Sequence, residues 1–165
     1  MSSTKIKKVF KSSFVSNSQT TGWLKNHAVI VQDNLISDIL HQDKLPKDID
    51  QTHKVINLGK VFLIPGLIET HAHMHCAGTK DTFKLATSEN NDSLLIRAAK
   101  NLSTALYSGV TTLRDLGSKN EIAFSIKNSI ESNIIKSPKV ILSGTPITTT
   151  AGHCHFFATE ADTKE

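Results

Sequence analysis

The residues best suited to chemistry in this chain lie in Ile64-Pro65-Gly66-Leu67-Ile68-Glu69-Thr70-His71-Ala72-His73, an apolar run ending in two alternate histidines. Along an extended strand, side chains i and i+2 share one face. His71 and His73 therefore point the same way from the end of a buried strand. Two neutral imidazoles so placed can hold one transition metal at about 2.0–2.1 Å per bond. Without its flanking run, the pair would be better taken as two strand-end histidines making ordinary hydrogen bonds. His75 continues the alternation, but the chain is expected to turn there, which gives it a loop or surface role.

A second cluster, Gly152-His153-Cys154-His155, follows a Thr- and Gly-rich stretch. Together, His71-x-His73-x-His75-Cys76 and His153-Cys154-His155 could hold zinc or copper in a non-catalytic metal-binding protein. Neither cluster has the spacing of a closed structural zinc site. Taken singly, Cys154 and His155 are packing or loop residues.

The elements that must carry these residues follow from periodicity. After the His71–His73 strand comes a long polar loop, then a helix starting near Asn91-Asp92, where a short polar side chain can cap it. Leu95, Ala98, Ala99, Leu102, Ala105 and Leu106 repeat at helical spacing, and Gly109 supplies the stop. Val110-Thr111-Thr112-Leu113 is a β-branched strand running into Arg114-Asp115, a pair expected to form a bracing salt bridge. Ser118-Lys119-Asn120-Glu121 has the form of a capping box, with Ile122, Ile126, Ile130 and Ile134 on one face of the helix it opens. Ser137-Pro138 ends that helix, and Val140-Ile141-Leu142-Ser143-Gly144 is the next strand. Ala161 to Glu165 has the pattern of a capped first turn of a further helix.

Strand–helix alternation implies parallel strands with right-handed crossovers, covered on both faces. An open sheet and a (β/α)8 barrel both fit, and both put their chemistry at the C-terminal ends of the strands. His71, His73, Arg114, Asp115, His153 and His155 all fall there.

Residues 1–63 obey a different grammar, that of a small, mostly antiparallel β unit. Ala28-Val29-Ile30-Val31 and Leu35-Ile36 flank Asp33-Asn34, a pair suited to the positive φ of a hairpin turn. A polar loop around Lys44–Asp48 leads to Lys54-Val55-Ile56-Asn57. His27, His41 and His53 belong to this unit and are expected on solvated surface.

Composition narrows the function classes. The 165 residues carry a net charge of +4 and a hydrophobic fraction of 38%, with apolar runs far too short to span a bilayer. One Trp and one Tyr cannot interleave a basic stripe, so nucleic acid is not an expected partner, and neither is a membrane. Two cysteines make no disulfide framework, the N-terminus lacks the apolar core of a secretory signal, and a cytoplasmic location is expected.

Pro65-Gly66-Leu67-Ile68-Glu69-Thr70-His71-Ala72-His73 resembles the first-strand signature of the amidohydrolase superfamily. Gly109-Val110-Thr111-Thr112-Leu113-Arg114-Asp115, and Gly144-Thr145-Pro146-Ile147 through Gly152-His153, are similar to the branch of imidazolonepropionase-like enzymes and dipeptidases that cleave Xaa-Pro or Xaa-Arg bonds. The resemblance implies an α/β fold: the first three βα units of a metal-dependent hydrolase (β/α)8 TIM barrel over residues 64–165. A small β-sandwich-type domain over residues 1–63 would precede it. It implies His71 and His73 as ligands of one or two divalent ions, zinc being the usual one, and His153 as a substrate-facing residue. Family members usually have Asp where this chain has Glu69, one methylene longer.

The implied reaction is hydrolysis of a C–N bond, in an amide, lactam or dipeptide, by metal-activated water. Further ligands and the general base come from later strands in the family, so they are expected beyond residue 165 and the chain is expected to be an N-terminal fragment, inactive alone. A second polypeptide supplying the rest of the barrel would complete it, and the intact enzyme is expected to be a homo-oligomer. An inactive gene remnant is a third reading of the same residues.

Overall fold

The structure, a computed structural model, describes residues 7–17, 19, 21–119 and 121–163. The chain divides into two compact units, Met1–Pro65 and Gly66–Glu165. Mixed α/β architecture results, with the helices concentrated in the second unit.

In the first unit, β1 (Lys7–Ser16) pairs antiparallel with β2 (Trp23–Gln32), which pairs antiparallel with β3 (Leu35–His41). Gln32 faces Leu35 across the hairpin, and Asp33 takes the expected positive φ, at 57°. The polar connection is more structured than its sequence suggests. It contains a 3-10 turn (Gln42–Lys44) and α1 (Ile49–Thr52). By carrying the chain back across the sheet, it lets β4 (Lys54–Asn57) and β5 (Phe62–Leu63) pair parallel to β1. Parallel neighbours require such a crossover, so only the first three strands are antiparallel. Val9, Ala28 and Ile49 are the buried centre, with Ile30, Leu45 and Val55 packed around them.

In the second unit, β6 (Leu67–Ala72), β7 (Val110–Asp115) and β8 (Lys139–Leu142) form a parallel sheet in that order. Glycine at position 66 is required by space, because a Cβ there would overlap the Thr111 side chain on β7. Between β6 and β7 lie α2 (Thr82–Ser88) and α3 (Asn91–Tyr107). The sequence offers only a polar loop where α2 forms, since a single residue of it, Ala86, is buried. Asn90, one residue before the expected cap, accepts a hydrogen bond from the Ser93 N–H at 2.9 Å. At the other end of α3, Gly109 adopts φ 95°.

The helix after β7, α4 (Ile122–Glu131), starts without the expected capping box. The Ser118 hydroxyl donates to Asp115 Oδ2 at 2.8 Å, and the helix begins at Ile122, too late for Ser118 to cap it, with Glu121 at the N-cap and no side-chain bond. Asn120, inside that motif, lies outside the described residues. Ile122 and Ile126 are buried and Ile130 packs beside them, but Ile134 lies past the helix end and is 76% exposed. Leu94, Ala98 and Leu102 of α3 close the core against Leu113 of β7 and Met74.

After β8 come β9 (Ile147–Thr148) and β10 (Thr159–Glu160), a short parallel pair. Of the helical turn expected at residues 161–165, the described residues 161–163 show none. Residues 162–163 are a bend, and the Asp162 carboxylate accepts from the Thr150 N–H at 2.8 Å and from its hydroxyl. Lys164 and Glu165 lie outside the described residues. No helix among the described residues is long and apolar enough to cross a membrane.

Candidate metal centre

His71 lies at the C-terminal end of β6 and His73 immediately follows the strand. The ladder continues one step past the strand through the Leu116 N–H to the Ala72 carbonyl at 2.9 Å, which fixes where the chain leaves the sheet. Their rings meet edge to face with centroids 5.6 Å apart. Glu69 accepts a hydrogen bond from the His71 backbone N–H at 2.9 Å, so this carboxylate braces the strand end from its own chain.

His73 Nδ1 lies 2.9 Å from the Gly117 carbonyl. A carbonyl can only accept, so Nδ1 carries the proton and Nε2 of the neutral ring carries the lone pair. That is the tautomer a ligating histidine needs. Gly117 can approach because it has no side chain; a Cβ there would run into Pro146.

Both rings open onto a cavity of about 320 Å³ that His153 and Cys154 also line. His153 arrives on the turn-rich segment after β9, held by the Gly152 N–H to the Thr149 carbonyl at 2.8 Å and by Cys154 at φ 59°. The three histidines singled out in the sequence are therefore gathered in one place. Phe157 walls the same cavity, its ring 5.7 Å from His73, and nothing but its apolar character marks it in the sequence.

Other expectations are corrected. His75 is not on the surface: it is fully buried, with its ring 5.2 Å from Phe157 and Nε2 3.8 Å from Cys76 Sγ. Burial pushes its pKa below the usual 6.5, outweighing the opposite pull of Asp115. Arg114 and Asp115 form no salt bridge among the described residues. Successive strand residues face opposite sides, so Arg114 is exposed while Asp115 is fully buried. The Asp115 carboxylate accepts from the Met74 N–H at 2.9 Å and from Ser118.

His155 is turned toward Glu160, Nδ1 to Oε1 3.6 Å, and is no part of the cavity lining. Cys76 and Cys154 are both free thiols; burial pushes the Cys76 thiol up, and nearby Cys154 and Asp115 add to the effect. His27, His41 and His53 are partly exposed, the first two meeting edge to face at 5.3 Å.

As a metal site, the donor chemistry fits in part. His71 and His73 supply two nitrogens in one cavity, one of them with its tautomer fixed. No group of three or more His, Cys, Asp or Glu among the described residues could hold an ion.

Comparison with known proteins sets relatives beside this geometry. Residues 19–53 match the NagA composite domain. The chain is 30% identical over 145 residues to ochratoxinase of Aspergillus niger, covering 84% of this chain and 28% of that protein. The crystal structure of A. niger ochratoxinase superimposes with a TM-score of 0.73 at 22% identity, covering 91% of this chain and 34% of that one. A prolidase complexed with N-methylphosphonate-L-proline gives 0.76 at 20% identity, over 95% and 41%. A Xaa-Pro dipeptidase with bound methionine in its active site gives 0.70 at 22%, over 89% and 35%. This chain thus spans little more than a quarter of the curated relatives' length. The chain is similar in sequence to ochratoxinase and, over residues 19–53, to the NagA composite domain, and it shares its fold with ochratoxinase, a prolidase and a Xaa-Pro dipeptidase.

Proposed function

We propose that these residues form part of a metal-dependent amidohydrolase that hydrolyses a C–N bond of a small amide, lactam or dipeptide substrate. The observation that carries this reading is the pairing of His71 with His73, whose Nδ1–H is spent on Gly117 and whose Nε2 keeps its lone pair. In this reading residues 64–165 are the first three βα units of a (β/α)8 barrel, and residues 1–63 are a β-sandwich-type domain.

His71 and His73 would hold a divalent ion, zinc being the usual one in the family the motif resembles, and the described residues supply no third ligand. Bound there, such an ion would lower the pKa of a water to about 7, making hydroxide available to a carbonyl carbon. His153, in the same cavity, is suited to orient the substrate. In this reading the remaining ligands and the general base come from outside the described residues, and the 165-residue chain alone is expected to be inactive. A homo-oligomeric cytoplasmic enzyme is the natural setting.

The non-catalytic soft-metal reading has less support, because His75, Cys76 and His155 do not line the cavity that takes the other donors.

The test is zinc titration of the purified chain by calorimetry, beside His71→Ala and His73→Ala. Binding should weaken at least tenfold in each variant. Equal zinc binding by all three proteins would sink the assignment. Metal-dependent cleavage of Xaa-Pro dipeptides by the chain alone would overturn its expected inactivity.

A further inference from the structure

Past His73 the chain makes a tight turn, closed by the Cys76 N–H donating to the His73 carbonyl at 2.9 Å. Met74, inside that turn, is anchored three ways. Its side chain is buried against the α3 core, its N–H donates to Asp115 Oδ1 at 2.9 Å, and its carbonyl accepts from Asn101 Nδ2 at 2.9 Å. The same Asn101 amide nitrogen donates to the Cys76 carbonyl, also at 2.9 Å. Asp115 is fixed in turn by the Ser118 hydroxyl at 2.8 Å.

Asn101 lies at i+7 from Leu94 and i+3 from Ala98, on the buried stripe of α3, where helical periodicity alone would favour an apolar residue. An amide there is costly unless its hydrogens are used, and both are used on the turn that follows the histidines.

We infer that Asn101 is a positioning residue for the metal centre: with Asp115 gripping the other side of Met74, it sets the angle at which His73 presents Nε2. The inference rests on the metal-binding function proposed above. His73 is then held at three points: by its ring to Gly117, by its carbonyl to Cys76, and by the next residue to both β7 and α3. Asn101 touches neither histidine and acts through the turn, so its effect should fall below the roughly 10–100-fold change in metal affinity typical of a group bonded directly to a ligand, as Gly117 is to His73.

The substitution that separates positioning from bulk is Asn101→Asp, which keeps the shape of the side chain while replacing both donors with an oxygen facing two carbonyls. The probe is Co²⁺, titrated into the full 165-residue chain and followed by its visible absorption, with circular dichroism as the check on folding. The unsubstituted chain should show bands that His71→Ala removes. Asn101→Asp should weaken Co²⁺ binding measurably, by less than the roughly 10–100-fold expected on loss of a direct partner of a ligand, and change the band pattern. If Asn101→Asp does not fold, the near-isosteric Ser118→Ala should produce a smaller change of both kinds.

Unchanged affinity and bands in folded Asn101→Asp, or in Ser118→Ala where the first does not fold, overturn the inference alone. Absence of Co²⁺ binding by the unsubstituted chain overturns the proposed function and the inference with it.

Discussion

Replacing Gly66 with alanine offers the sharpest test of how β6 is seated. The added Cβ would fall within overlap distance of Cβ, Cγ2 and Oγ1 of Thr111. Thr111 Cβ is attached directly to the β7 backbone, so rotation of the side chain cannot relieve the clash. The two strands must separate, in the ladder that runs from Leu67–Val110 to Ala72–Asp115. Overpacking of this kind costs about 1–3 kcal/mol, and the rigid neighbour argues for the upper half of that range. For a chain of this size that is a fall of roughly 4–12 °C in Tm. The assay is a double-mutant cycle by urea and thermal unfolding over Gly66→Ala, Thr111→Gly and the pair. Thr111→Gly should cost about 1 kcal/mol alone, yet recover at least 1 kcal/mol in the alanine background by vacating the space. Additivity within about 0.5 kcal/mol would refute the steric account.

Three further predictions follow from the site. Asp115→Ala strips the buried Met74 N–H and Ser118 hydroxyl of their acceptor and should cost about 2–5 kcal/mol in urea unfolding. Asp115→Asn, which still offers an acceptor to Met74, should cost less than half as much, and equal costs would show that charge rather than hydrogen bonding matters. The Cys76 thiol, pushed up by burial, should react with a disulfide reagent near neutral pH more slowly than free cysteine; a faster reaction would contradict its described surroundings. The Asp162 carboxyl is held below its ordinary value by the Thr150 hydroxyl and N–H, so its clamp is fully present above about pH 4. It should be lost as the pH falls through the lower folded value, seen as a shift of the Thr150 amide NMR resonance, and a shift centred above pH 4 would refute it.

Much of the site was legible in the sequence because it depends on local geometry. Two-residue alternation was enough to bring His71 and His73 together, and strand-end placement brought His153 to the same cavity. The alternation rule also forbids the Arg114–Asp115 salt bridge, since neighbours on a strand face apart. Other parts depend on partners distant in sequence. Ser118 and Glu121 match a capping box, but Ser118 is buried on Asp115 and the helix starts only at Ile122, which the tertiary fold decides. The burial of His75 likewise depends on Phe157, eighty-two residues later. Asn101 did leave a trace, a polar residue on an otherwise buried helical stripe. α2 left none, having almost no apolar face to reveal it.

The pairing of β1 also has a consequence in time. This strand has β2 on one edge, supplied by the next few residues, and β4 and β5 on the other, supplied from Lys54 to Leu63. During synthesis at about 5–20 residues per second, the second edge becomes available several seconds after the first. Over that interval the nascent chain presents a three-stranded meander whose first strand is an open edge, able to pair with any extended segment nearby. Residues 54–63 therefore act as a late-arriving guard, and substitutions that weaken β4 or β5 should show up as aggregation during expression before they show up as lost stability of the finished unit.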